Sequence, residues 1–246
     1  MESKKENAPA RGTEARTVPM EFTGSDGRTF RYRLARRDSA RDVPLVVFLH
    51  GAGERGEDNA RQLVHGVTEL ADWLDSHEEG YRLVAGQVPE GMGWVDVPWG
   101  EASHTMPESP SPTMSLLLEL IDAMVASGGI DVSRIYVTGI SMGGYGTWDI
   151  VCRRPGLFAA ALPICGGGDT AMAPRIANVP IWAFHGSDDQ AVPVCRSRKM
   201  VSALWEAGSN AHYREYPDAP HDVWTATYRD PAVLGWFFAQ RRPHGA

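Results

Sequence analysis

A serine framed by small residues stands at Gly139-Ile-Ser141-Met-Gly143-Gly144, directly after the apolar run Arg134-Ile-Tyr-Val-Thr138. Helix-compatible residues follow, Tyr145 to Cys152. A sharp strand–turn–helix elbow needs such small neighbours, because side chains there would clash and the serine must sit in a strained backbone conformation. A serine hydroxyl is a poor nucleophile at its free pKa. It needs a base, and the base needs an orienting carboxylate. Downstream, the apolar run Ile181-Trp-Ala-Phe-His185 opens into Gly186-Ser-Asp188-Asp189-Gln-Ala-Val-Pro193, which offers two carboxylates just past a strand end. Further on, Tyr216-Pro-Asp-Ala-Pro-His221 follows another strand-like run and supplies the one well-placed histidine after the acids. Ser141, Asp188 or Asp189, and His221 are therefore the candidate nucleophile, acid and base of an acyl-transfer reaction.

An oxyanion needs hydrogen-bond donors. His50-Gly51-Ala52-Gly53-Glu54-Arg55-Gly56 is a glycine-rich turn after a buried strand and can aim free backbone N–H groups at a developing charge. The N–H groups of Ala52 and of Met142, the residue after Ser141, are the candidate donors. The turn lacks GxxxxGK[ST], which argues against a P-loop. Glu54 and Arg55 are placed either to pair across the turn or to be plain surface charges. Among the other histidines, His185 reads as a structural residue near the acid loop, and His65 and His77 as residues of a helix. His104 falls in a long loop that could face substrate. His212 opens an edge strand and His244 lies in the tail. No cluster has the spacing of zinc ligands, so no metal and no cofactor is expected.

These side chains require a scaffold. Pro44-Leu-Val-Val-Phe-Leu-His50 is apolar without alternation, as in a strand buried on both faces. Arg82–Val88, Arg134–Thr138, Ala159–Ile164 and Ile181–His185 are similar, with Ala211–Tyr216 nearer an edge. Thr17–Thr23 and Thr29–Leu34 flank Gly24-Ser-Asp-Gly27, a hairpin signal. Helical spacing appears over Asn59–Ser76, Thr113–Ser127, Pro193–Ala207 and Pro231–Gln240. Strands alternating with helices predict a mostly parallel sheet covered on both faces. Pro98–Pro112 is read as a long polar surface loop.

The combined motifs resemble the α/β-hydrolase serine esterases of the dienelactone-hydrolase and polyhydroxybutyrate-depolymerase-like group. That group includes predicted peptidases, phospholipase/carboxylesterases and feruloyl-esterase-like members. The resemblance rests on His50 to Asn59, Arg134 to Trp148, Pro163-Ile-Cys-Gly-Gly-Gly-Asp169 and Pro180-Ile-Trp-Ala-Phe-His-Gly186 running on to Val192-Pro193. It spans roughly residues 40–240. It implies an α/β-hydrolase fold, which at this chain length is expected to carry no cap domain, and it places Asp189 rather than Asp188 on the acid position. The group's histidine usually follows glycine, whereas Pro220 precedes His221 here.

The chain has 246 residues, 43% of them hydrophobic, and a formal net charge of −7. That composition fits a folded globular protein and gives no electrostatic footprint for nucleic acid. No run reaches the ~20 apolar residues of a membrane span. Residues 1–16 are expected to be a flexible segment and 17–246 a single domain. The absence of a signal-like apolar stretch and the three cysteines, Cys152, Cys165 and Cys195, suggest reduced thiols in the cytoplasm. The oligomeric state is not legible. Trp94, Trp99 and Trp224, with Trp148 and Trp182, lie in or beside the motifs. The first three are the candidates to line a cleft for an aryl or acyl group, the alternative being core packing. The expected activity is hydrolysis of small-molecule carboxylic esters, short-acyl or aryl, through an acyl-enzyme. A peptidase of the same fold is the alternative. A non-catalytic binding protein would be expected to lack one of the three residues.

Overall fold

The computed structural model describes residues 11–242. In chain order the elements are α1 (Arg11–Ala15), β1 (Val18–Thr23), β2 (Thr29–Arg37), β3 (Val43–Leu49), α2 (Val67–His77), β4 (Tyr81–Gly86), α3 (Pro112–Ala126) and β5 (Ile130–Ile140). They continue with α4 (Met142–Arg153), β6 (Ala160–Ile164), α5 (Ala173–Ile176), β7 (Trp182–Gly186), α6 (Cys195–Glu206), β8 (His212–Tyr216), α7 (Trp224–Tyr228) and α8 (Pro231–Ala239). Eight strands form one sheet in the order β1-β2-β4-β3-β5-β6-β7-β8. β1 and β2 pair antiparallel, as do β2 and β4, and the rest of the sheet is parallel.

β3 explains why the sheet is covered twice. All seven of its residues are buried. Leu45, Val47 and Leu49 pack with α3, α4 and α6 on one face, while Val46 and Phe48 pack with α2 and α8 on the other. A polar residue on either side would be desolvated, so the strand reads as one continuous apolar run. The helix starts are set locally. Ser111 caps α3 by accepting from Met114 N–H, and Asp230 caps α8 by accepting from Ala232 N–H, each just before a proline. The hairpin at residues 24–27 closes with Gly27 N–H donating to Gly24 O.

Three expectations are corrected. The helix read over Asn59–Ser76 is two pieces, a 3₁₀ turn at Arg61–Leu63 and α2. Gly66 separates them at φ +75°, where an added Cβ would lie 2.7 Å from both Phe48 and Tyr228. His65 is thus not on a helix. Of the segment expected to be flexible, residues 1–10 lie outside the described residues, but Arg11–Ala15 is helical and is anchored by Arg33, which donates to Glu14 O and Thr17 O. His244 also lies outside the described residues.

The span 87–111 contains no helix or strand. It is fastened to the body instead, by Tyr145 Oη donating to Trp99 O, Met106 N–H donating to Asp169 and Arg153 donating to Pro107 O. No described helix is long and apolar enough to cross a membrane.

Strand order reverses around β3, with β4 on one side and β5 on the other. A crevice opens outside the carboxyl ends of strands at such a switch point. His50 follows β3, Ser141 follows β5, Asp189 follows β7 and His221 follows β8. The topology therefore delivers all four to one rim.

Candidate active site

Ser141 has φ +53° and ψ −116°, a conformation that a residue with a side chain rarely adopts. Two contacts impose it. A Cβ at Gly143 would lie 1.9 Å from Leu49 O, and one at Gly139 would lie 2.3 Å from Gly143 O, so backbone occupies the space. Ser141 N–H donates to Ile164 O at 2.9 Å, pinning the elbow to β6. The hydroxyl is left free to face the rim.

There it meets a chain of polar groups. Ser141 Oγ lies 2.8 Å from His221 Nε2, and His221 Nδ1 lies 2.6 Å from Asp189 Oδ2. A carboxylate accepts only, so Nδ1 carries the proton and Nε2 is left to accept from the hydroxyl. Asp189 has no exposed side-chain surface. Its Oδ1 accepts from the N–H groups of Ala191 and Val192, at 2.9 and 2.8 Å. His185 Nε2 lies 3.1 Å from its Oδ2. Burial alone would raise the Asp189 carboxyl, but hydrogen bonds from His185, His221 and the Val192 amide outweigh it and hold the group well below the usual carboxylate range. Asp188 is exposed and accepts from Gln190 instead. The arrangement can move a proton from a hydroxyl to a neutral imidazole and stabilise the imidazolium that results.

Ala52 opens a 3₁₀ turn and Met142 opens α4. The first N–H groups of a helical turn have no partner within it. The turn carrying Ala52 packs onto the elbow, since a Cβ on Gly51 would lie 3.6 Å from Ser141 Cβ. His50 anchors that turn from below. Its Nε2 accepts from Val88 N–H at 2.9 Å and its Nδ1 donates to Gly51 O at 2.6 Å. Burial lowers its pKa to about 4, so the ring is neutral and can do both.

The three tryptophans read as a substrate lining separate. Trp94 is fully buried and its indole N–H donates to His50 O at 3.0 Å, so it is core packing beneath the turn and not a substrate contact. Trp94→Phe is expected to leave His50 O short of a donor. This should cost about 1–3 kcal/mol in a denaturant melt and lower kcat more than it changes KM. Trp99 is partly exposed, with the Arg55 guanidinium 5.8 Å from its ring centre. Trp224 is also partly exposed, with its ring 5.3 Å from that of His221.

Glu54 and Arg55 do not pair. Arg55 donates to Ala52 O and Met92 O, whereas Glu54 turns to His65, 3.8 Å away. His104 is held by Arg196 inside the fastened loop, and burial first, then Arg196, lowers its pKa to about 4. His185 bonds Ser197 Oγ and Val192 O, a brace for the acid loop. Sequence reasoning missed Cys165, whose thiol donates to His221 O at 3.1 Å. Cys165, Asp189 and His221 bring ligand-type atoms within 4.8 Å of one another. Burial, then the Asp189 charge, pushes the thiol far above its ordinary pKa, which makes it a hydrogen-bond donor at neutral pH rather than a thiolate ligand.

The sequence pattern of the phospholipase/carboxylesterase family matches residues 36–230. The chain belongs to that family. It is 28% identical over 239 residues to poly(3-hydroxyalkanoate) depolymerase C of Paucimonas lemoignei, covering 78% of this chain and 52% of that protein. An uncharacterized secreted protein of Arthroderma benhamiae is 26% identical over 221 residues, 75% of this chain and 22% of that one. The chain thus spans about half the length of these relatives or less. Among solved structures, a thermostable esterase superposes with a TM-score of 0.84 at 37% identity, over 93% of this chain and 64% of that chain. An acylaminoacyl peptidase of Pyrococcus horikoshii superposes at 0.68 with 15% identity, covering 93% and 43%, and shows the fold alone. The α/β-hydrolase fold expected from the motifs is the fold found.

Proposed function

We propose that this chain is a serine esterase that hydrolyses short-acyl or aryl carboxylic esters through an acyl-enzyme. One observation carries the reading: the unbroken hydrogen-bond chain from Ser141 Oγ through the His221 ring to the buried Asp189 carboxylate. Family membership and the likeness to a thermostable esterase support it.

In this reading Ser141 Oγ attacks the ester carbonyl as its proton passes to His221 Nε2. Asp189 holds the ring in the competent tautomer and stabilises its charge. The N–H groups of Ala52 and Met142 receive the oxyanion, already oriented by the helical turns they open. Collapse expels the alcohol, which takes the proton back from His221. Water then repeats the sequence on the acyl-enzyme and regenerates Ser141. Every step uses side chains and amides of this chain.

The test is a panel of p-nitrophenyl esters of graded acyl length together with methyl ferulate, long-chain triglyceride and peptide anilides. Short-acyl and aryl esters are expected to turn over fastest. The fastened span 87–111 is polar and proline-rich over residues 98–112, with no apolar lid helix to engage a lipid interface. EDTA is expected to leave the rates unchanged. Faster cleavage of the anilides, or marked activation at an oil–water interface, contradicts the proposal.

A further inference from the structure

The turn that carries Ala52 also carries a carboxylate, and the chemistry above leaves it idle. Glu54 Oε2 lies 2.9 Å from the position of a Cβ on Gly51, and Ser141 Cβ lies 3.6 Å from that same point. The carboxylate and the serine thus both border Gly51, and the Glu54 side chain is only 13% exposed. Backbone hydrogen bonds at Gly51 and Glu54 favour its charged form, but no permanent cation faces it. Arg55, next in sequence, points away to Ala52 O, Met92 O and the Trp99 ring. His65, 3.8 Å off, is an ion-pair partner only when protonated. Burial raises the Glu54 carboxyl above its ordinary value, with His65 opposing. Behind His65 stands Trp224, ring centres 5.5 Å apart, and Trp224 in turn meets the ring of His221.

A partly desolvated carboxylate on the turn that borders the serine is unfavourable for an oxyanion formed from a neutral substrate, because like charges interact more strongly in a medium less polar than water. A substrate that carries a positive charge near the ester reverses the sign. The charge meets the carboxylate, offsets its effect on the oxyanion and can rest on an indole face. From the Glu54 position and the partly exposed Trp224 ring beside His221 we infer that this site selects esters bearing an ammonium group a short spacer from the scissile carbonyl, with Glu54 as the residue that sets the preference. The inference rests on the esterase reading.

The test compares acetylcholine with 3,3-dimethylbutyl acetate, which replaces the quaternary nitrogen by carbon at the same shape. In wild type at low ionic strength, kcat/KM for the charged ester should exceed that for the neutral one by about tenfold or more, and added salt should shrink the ratio. In Glu54→Gln the ratio should fall to within about threefold of unity, and Glu54→Asp should recover part of it. His65→Gln leaves the carboxylate in place and should hold the ratio at or above the wild-type value, which gives a reading even where Glu54→Gln does not fold. A wild-type ratio near or below one overturns the inference and leaves the esterase reading standing, since the neutral ester is still cleaved. A ratio unchanged in Glu54→Gln traces the preference to the net charge of −7 and overturns it too. A fall in His65→Gln does the same. Failure to cleave either ester removes both readings.

Discussion

Ser141→Ala is expected to fold like the wild type and to lose esterase activity by about 10⁶-fold in kcat, the scale seen when a triad nucleophile is removed. The backbone strain at φ +53° is the same for Ala as for Ser, because both carry a Cβ. The elbow is held by Ile164 O and by glycine contacts that the substitution does not touch. What disappears is the hydroxyl 2.8 Å from His221 Nε2. In the proposed mechanism any residual rate is expected from the Ala52 and Met142 amides and from binding, acting on a water molecule unaided. Two measurements check this: turnover of p-nitrophenyl acetate by both proteins, and the peptide labelled by an organophosphonate. Wild type should carry the label on Ser141 and the variant should carry none. Turnover at the wild-type rate in the Ala variant removes the acyl-enzyme mechanism altogether.

The elbow was legible because its constraints are local. An apolar strand, glycines two residues either side of the serine and a helix start all lie within one short segment. The parallel strands were legible for a related reason, since burial on both faces removes alternation from the sequence itself, as in β3. Helix ends at Ser111 and Asp230 follow from side chains beside the amides they cap. The failures arise where distant residues decide. Nothing near Gly66 in the chain signals that Phe48 and Tyr228 crowd it, so the apolar spacing on either side reads as one helix. Trp94 lies just ahead of the long loop, and only the tertiary packing beneath His50 shows it to be core. The five-residue α7, which presents Trp224 to His221, is too short to produce a periodic pattern. His65 stands just before that break, off the helix and 3.8 Å from Glu54, an approach across the fold that no local spacing reports.

Asp189→Asn is expected to lower kcat by about 10²–10⁴, against tenfold or less for Asp188→Asn. The hydrogen bonds dictate which way the new amide points. Oδ1 accepts from two backbone N–H groups, those of Ala191 and Val192, so the amide oxygen must stay there. The amide nitrogen is then forced toward His221 Nδ1, 2.6 Å from the atom it replaces. Two donors cannot face each other, so Nδ1 gives up its proton and Nε2 becomes the protonated nitrogen. The ring then offers Ser141 a donor where it needs an acceptor. Asp188 is exposed and among the described residues its carboxylate accepts only from Gln190, so its amide changes little at His221. The reverse ranking of the two variants would show that the orienting acid is misassigned. Stability supplies a second readout. The Asp189 carboxyl is depressed in the fold, so its contribution is present above the unfolded value near ~4 and is lost as pH falls through the lower folded value. The deficit of Asp189→Asn relative to wild type, taken from denaturant melts, should therefore be about 1–3 kcal/mol at pH 7 and shrink steadily as the pH is taken below about 4. A deficit independent of pH across that range means the carboxylate charge is not what the four donors around Asp189 stabilise.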